Sequence, residues 1–231
     1  MDPESRRVSL GAQASRLPSL PCLPFLDDPW RSRGYLPHFD HPGLLQVITF
    51  RLADSLPQSF LDRCEAELAT LPVEAHQTER EKRIAAWLDR GAGACHLRDP
   101  RVAELVENAL LHFDGQRYRL IAWCIMPNHV HAMIETTPGH TLDQVLHSWK
   151  SFTAKQANRL LDLTGTFWQA EYHDRFIRDE EHFARAKQYI EHNPVQPGLV
   201  ASADRWRWSS AWHERKAGGT PALPAETNND S

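Results

Sequence analysis

The sequence predicts an α+β domain of the ferredoxin-like, split βαβ type, with an antiparallel sheet and an extra helical insertion after the first strand. Two observations carry this. The runs 118–125 and 129–135 are both strand-like and only a short break separates them, as in an antiparallel hairpin. A further strand-like run lies far upstream and a shorter one downstream, with helical patterns between them and the hairpin.

The elements follow in order. Residues 1–33 are rich in Pro, Ser, Arg and Leu without a sustained period, which predicts a disordered arm. The run 44–52 is β-rich and reads as the first strand. Pro57 opens a helix in which Phe60, Cys64, Leu68 and Leu71 recur at helical spacing. A charged helix follows over about 74–90, with Ile84, Trp87 and Leu88 on its apolar side and Gly91-Ala92-Gly93 ending it. Asp99 and Pro100 suit the N-cap and first position of a helix over 101–113. The stretch 57–113 is expected as the insertion. Asp114-Gly115 marks the turn into the hairpin, and Thr136–Gly139 closes it. Thr141 caps a helix over 142–161, a loop and short strand occupy 167–177, and Asp179 caps a helix over 180–192 that Asn193-Pro194 ends. The domain is expected over 34–215, with a disordered tail over 216–231.

Composition excludes several classes. Hydrophobic content of 41% and charged content of 24% are ordinary for a globular chain. A net charge of -4 gives no overall basic signal, so any nucleic-acid surface must be local. The four cysteines are scattered and form no C-x-x-C pair, as expected for reduced thiols in the cytoplasm. No apolar run is long enough to span a bilayer, and the start lacks an apolar export segment, so neither a membrane partner nor export is expected.

The chemistry centres on Met126-Pro127-Asn128-His129-Val130-His131. Residues i and i+2 of a strand share a face, so His129 and His131 project together and Val130 turns into apolar packing. Two adjacent imidazoles make half of a metal site. On the last long helix Tyr189 and Asn193 are four residues apart and stack on one face. Asn193 offers an oxygen ligand, although it also suits a helix C-cap before Pro194. Nitrogen donors with an amide oxygen suit Mg²⁺ or Mn²⁺ and leave positions for phosphate oxygens. Tyr189 is a nucleophile candidate that needs activation, since a free phenol titrates near about 10. Tyr172 is its rival but lies in a loop, and His192 is an alternative ligand.

The ordered motifs resemble the HUH single-tyrosine transposases, and more closely their REP-associated tyrosine transposase branch. They are Gly34-Tyr35-Leu36-Pro37-His38-Phe39, Trp123 through His131, Phe167-Trp168-Gln169, Asp174-Arg175-Phe176-Ile177-Arg178, Tyr189 through Val195, Gly198-Leu199-Val200 and Trp206-Arg207-Trp208-Ser209-Ser210. The resemblance implies His129 and His131 as paired metal ligands, Tyr189 as nucleophile and Asn193 as the polar ligand. It implies metal-dependent cleavage of single-stranded DNA beside a hairpin, through a 5′-phosphotyrosine and a free 3′-OH that can later rejoin strands. Monomer and homodimer are both compatible with it. The long 57–113 stretch and the two tails depart from the simplest members.

DNA contacts are expected from Lys150, Lys155 and Arg159 on the helix after the hairpin and from Arg175 and Arg178 flanking the last strand. Arg185 and Lys187 are further cations. Trp168, with Tyr172 and His173, is expected to stack on unpaired bases, and the arm's Arg6, Arg7, Arg16, Arg31 and Arg33 to reach a groove. Two other readings stand beside this one. One is a domesticated hairpin DNA- or RNA-binding protein that no longer cuts. The other is a zinc hydrolase built on His129, His131 and Cys124.

Overall fold

The computed structural model describes residues 30–32, 37–39 and 43–218. In chain order these form β1 (Trp30–Ser32), β2 (Pro37–Phe39), β3 (Leu45–Arg51), α1 (Gln58–Leu68), α2 (Val73–Asp89), α3 (Pro100–His112), β4 (Tyr118–Ile125), β5 (His129–Thr136), α4 (Leu142–Leu161), β6 (His173–Phe176), α5 (Glu180–His192) and α6 (Ser210–Gly218). Most of the expected arm and the tail beyond Gly218 lie outside the described residues. The end of the arm departs from expectation: Trp30–Ser32 pairs antiparallel with Pro37–Phe39, which satisfies backbone groups that an unstructured arm would leave to water. The arm's arginines lie outside the described residues, apart from the backbone of Arg31.

The main sheet has the order β4-β5-β3-β6, and every neighbouring pair is antiparallel. This is the expected split βαβ arrangement, with the first and third of the four strands inside. The histidine strand β5 is therefore an inner strand. The caps read from sequence form as expected. The Asp99 side chain accepts from the Arg101 N–H at 2.9 Å, Thr141 and Gln144 close a capping box, and Asp179 accepts from the His182 N–H.

The period-2 alternation of β3 and β5 divides the molecule into two layers. Ile48, Phe50, Leu52, Val130, Ala132 and Ile134 face α3 and α4 in the larger core. Leu45, Met133 and, from β4, Ala122 and Cys124 face α5 across a smaller core closed by Ile190, with Phe183 and Ala186 packed against it. Trp149 of α4 is central to the larger core. It is buried, its indole N–H donates to the Tyr118 hydroxyl at 2.9 Å, and that hydroxyl donates to the Leu110 carbonyl at 2.7 Å. Trp149→Ala is expected to cost about 3–5 kcal/mol, because it opens a cavity and removes a donor from a buried hydroxyl. Urea unfolding followed by circular dichroism reads this; a loss below about 1 kcal/mol would contradict the packing described.

The helical stretch between residues 57 and 113 has two parts. Val102, Ala103, Val106 and Leu110 of α3 join the larger core, so α3 serves as the crossover helix between β3 and β4. α1 and α2 instead pack on each other, with the Phe60 and Trp87 rings stacked 4.2 Å apart. They are the additional material. Gly93, in the turn after α2, has φ +84°, and a Cβ there would stand 2.9 Å from the Asp54 carboxylate that receives the Ala94 N–H.

Candidate functional site

β5 places both imidazoles on the face of the sheet that α5 covers. His129 and His131 are buried, and their Nε2 atoms stand 2.9 Å apart. Two cis donors each about 2.1 Å from an octahedral ion would stand roughly 3 Å apart, so the pair has the spacing of a chelate.

The other ring nitrogens are fixed from outside. Asn128 Nδ2 donates to the Leu88 carbonyl at 3.1 Å and the Ala92 carbonyl at 2.8 Å. Its Oδ1 is then the acceptor 2.7 Å from His129 Nδ1, which must carry the proton. His129 thus presents a lone pair at Nε2. His131 Nδ1 lies 2.8 Å from the Thr49 hydroxyl, which can donate or accept. It therefore supports the tautomer in which His131 Nε2–H donates to His129, and equally the one in which that nitrogen is a ligand.

Both rings are held neutral. Burial, then the neighbouring His131 and Arg51, push His129 well below its ordinary value, against an opposing pull from Asn193. Burial and then His173 lower His131 to about 4. The unfolded chain therefore binds a proton that the folded chain refuses between about 6.5 and about 4. Stability without metal is expected to fall as pH drops through this window, by about 3 kcal/mol from His131 alone. Denaturant unfolding in EDTA at neutral and mildly acidic pH checks it, and stability that is flat or rises toward acid would count against buried neutral rings.

α5 supplies the third side. The Tyr189 ring meets the His131 ring edge-to-face with centroids 5.5 Å apart, and it is 39% exposed toward a cleft of about 460 Å³ that both histidines also line. Asn193 is the C-cap residue of the helix and is fully buried beside His129, with neither side-chain Oδ1 nor Nδ2 in a hydrogen bond of ordinary geometry. A buried amide with no partner calls for an explanation, and a ligand position beside His129 supplies one. Among the described residues no three His, Cys, Asp or Glu side chains are grouped to hold a metal, so a third protein donor beside the histidines would be of another type. The histidines and Asn193 fit that requirement.

The rival residues lie elsewhere. Tyr172 packs against the larger core and does not line the cleft. His192 is exposed, with its Nδ1 on the Gln188 carbonyl. Cys124 is fully buried in the smaller core, burial raises its thiol pKa steeply, and among the described residues it joins no group of three metal-capable side chains.

The expected DNA-contact residues divide. Arg175 lines the cleft and pairs with Glu81 at 2.8 Å. Arg178 is exposed with its guanidinium over the Phe176 ring. Lys155 and Arg159 are exposed on α4, which packs on the sheet face opposite the histidines. Lys150 is half-buried and donates to the Ala170 carbonyl at 2.7 Å, so it braces a loop. Trp168 is a correction. It is buried in the larger core, edge-on to Phe50 and donating to the Thr153 hydroxyl, and so cannot stack on an unpaired base.

Three features were not read from sequence. Asn128 orients His129 and ties the end of α2 to the histidine strand. α2 forms one wall of the cleft, and its Glu81 also accepts from His173 Nε2 at 3.2 Å. Hydrogen bonding from His173 is the largest influence holding Glu81 down at about 2. Finally, Glu191 is buried on α5 and accepts from the Ser210 hydroxyl at 2.9 Å, fastening the tyrosine helix to the start of α6. Only Asn128 carried a signal, as the polar residue directly before the histidine pair.

The fold and the site together are a ferredoxin-like sheet with paired histidines on an inner strand, facing a helix with tyrosine and asparagine one turn apart. Residues 98–193, less than half of the chain, match the family model for IS200-like transposases, a segment that holds both histidines, Tyr189 and Asn193 and omits α1 and α2. More particularly, the chain is 24% identical over 108 residues to the REP-associated tyrosine transposase of Escherichia coli (strain K12), covering 46% of this chain and 63% of that protein's length. A solved structure of a REP-associated tyrosine transposase bound to a REP hairpin covers 82% of this chain and 88% of its own, with a TM-score of 0.51 at 16% identity; at that identity the likeness is one of fold. These findings bear out the resemblance to REP-associated tyrosine transposases. Among the described residues no helix is long and apolar enough to cross a membrane.

Proposed function

We propose that the protein cleaves and rejoins single-stranded DNA beside a hairpin through a covalent bond to Tyr189. The observation that carries this is the convergence of Tyr189 and the neutral histidine pair in one cleft, with the buried Asn193 amide beside His129. The Tyr189 oxygen attacks the scissile phosphorus and loses its proton, the P–O3′ bond breaks, and the 3′-oxygen leaves and takes up a proton. The product is a 5′-phosphotyrosine and a 3′-OH. Reversal on another strand restores a phosphodiester without an external energy source.

His129, His131 and Asn193 would hold a Mg²⁺ or Mn²⁺ ion. Bound there, the ion supplies Lewis-acid polarisation and orientation of a phosphate oxygen. The chain's own contribution is to fix the His129 tautomer through Asn128, to orient the His131 ring through Thr49, to keep both rings neutral by burial, and to hold Tyr189 against His131. Arg175 and Arg178 are the proposed phosphate contacts beside the cleft.

The test is incubation with a hairpin bearing a single-stranded flank in Mn²⁺. The expected product is a protein–DNA adduct that survives denaturing electrophoresis, and it should disappear when EDTA replaces the metal. Tight hairpin binding by wild type with no adduct under any metal would favour the non-cleaving, domesticated alternative.

A further inference from the structure

Arg51 is an unexplained cation in the same cleft. It ends β3, lies opposite His129 in register and shares the face of Thr49, so it points to the histidine side of the sheet. Its Nε is buried and has no hydrogen-bond partner. Arg80 of α2 lines the same cleft, with its own Nε on Glu65 at 2.9 Å. Burial first, and the positive charge of Arg80 second, lower Arg51 to about 10, against the pull of Glu171. Among the described residues, Arg51 alone of the arginines that line the cleft makes no ion pair within 4 Å: Arg80 is paired with Glu65, Arg175 with Glu81 and Arg185 with Glu181, and Arg80 is the one whose charge bears on Arg51.

A buried donor without an acceptor is destabilising, and two guanidiniums facing one cavity repel. A phosphodiester anion between them relieves both, and guanidinium planes suit its oxygens. We propose that Arg51 and Arg80 together grip the phosphate that Tyr189 attacks, which makes the additional helix α2 a wall of the active site. The proposal rests on the phosphotyrosine reading above and adds to it the residues that seat the electrophile. It also gives the α1–α2 pair a function, because that pair lies outside the segment shared with the IS200-like family.

The experiment measures binding of a fluorescent hairpin oligonucleotide by anisotropy over a series of salt concentrations, with adduct formation and melting temperature in parallel. Arg51→Met and Arg80→Gln are each expected to flatten the salt dependence by about 0.7–1 in log–log slope. Arg51→Met is expected to slow adduct formation by about 10²-fold or more. Its melting temperature without DNA should stay level or rise, because a buried Nε–H without an acceptor has been removed. Arg51→Lys, which keeps the charge, should retain the slope. A fall in melting temperature with slope and rate unaltered would assign Arg51 to the scaffold and overturn the proposal. If wild type forms no adduct but Arg51→Met still flattens the slope, the phosphate grip stands and the cleavage reading fails. If wild type forms the adduct and both variants keep rate and slope, the grip alone fails. A wild type that binds no hairpin overturns both.

Discussion

Tyr189→Phe is expected to abolish the covalent protein–DNA adduct, with strand cleavage falling by on the order of 10⁴-fold or more, while hairpin binding changes by less than about threefold. The asymmetry follows from where the ring sits. Its edge-to-face contact with His131 uses the aromatic body, which phenylalanine keeps. Its partial exposure means that losing the hydroxyl leaves no deeply buried void. The nucleophile is removed and the ring is kept. The melting temperature should therefore match wild type, and denaturing gels with labelled oligonucleotide read the adduct directly. A persistent adduct in Tyr189→Phe that vanishes in Tyr172→Phe would transfer the role to Tyr172, against that residue's packing on the larger core.

Mn²⁺ is expected to raise the melting temperature of wild type, and His129→Ala and Asn193→Leu to lose that rise. Ligand at about 100 times its Kd adds about 2.7 kcal/mol, which for a domain of this size is roughly 5–10 °C. The two variants should differ without metal. His129→Ala opens a cavity in a buried site and strips Asn128 of its partner, so it should be destabilised. Asn193→Leu replaces two buried, unpartnered polar atoms with apolar volume, so its metal-free stability should hold or increase. Thermal melts in EDTA and in Mn²⁺ separate these cases. Marked destabilisation of metal-free Asn193→Leu would mean that the amide serves the fold and is not a ligand.

Much of the site was legible because its geometry is local. The i,i+2 relation of His129 and His131 and the i,i+4 relation of Tyr189 and Asn193 are properties of a strand and a helix, and both survive in the fold. The helix bounds of α4 and α5 followed from Thr141 and Asp179, whose side chains cap the expected ends. Trp168 was misread because an aromatic beside polar residues reads as a stacking platform. Its burial depends on Phe50 and Thr153, which lie far away in sequence. Lys150, Lys155 and Arg159 were correctly placed on a helix. Nothing local could say that this helix packs on the sheet face away from the histidines.

What the sequence determined by itself was therefore the set of elements, their faces and the chemistry each face carries, since hydrophobic period and capping act over a few residues. Tertiary structure alone decided which faces meet. It put the α2 wall over the histidines, joined Asn128 to Leu88 and Ala92, and left Arg51 without a partner for its Nε. Those outcomes depend on the side of the sheet that each crossover helix takes, and burial of the whole chain settles that choice.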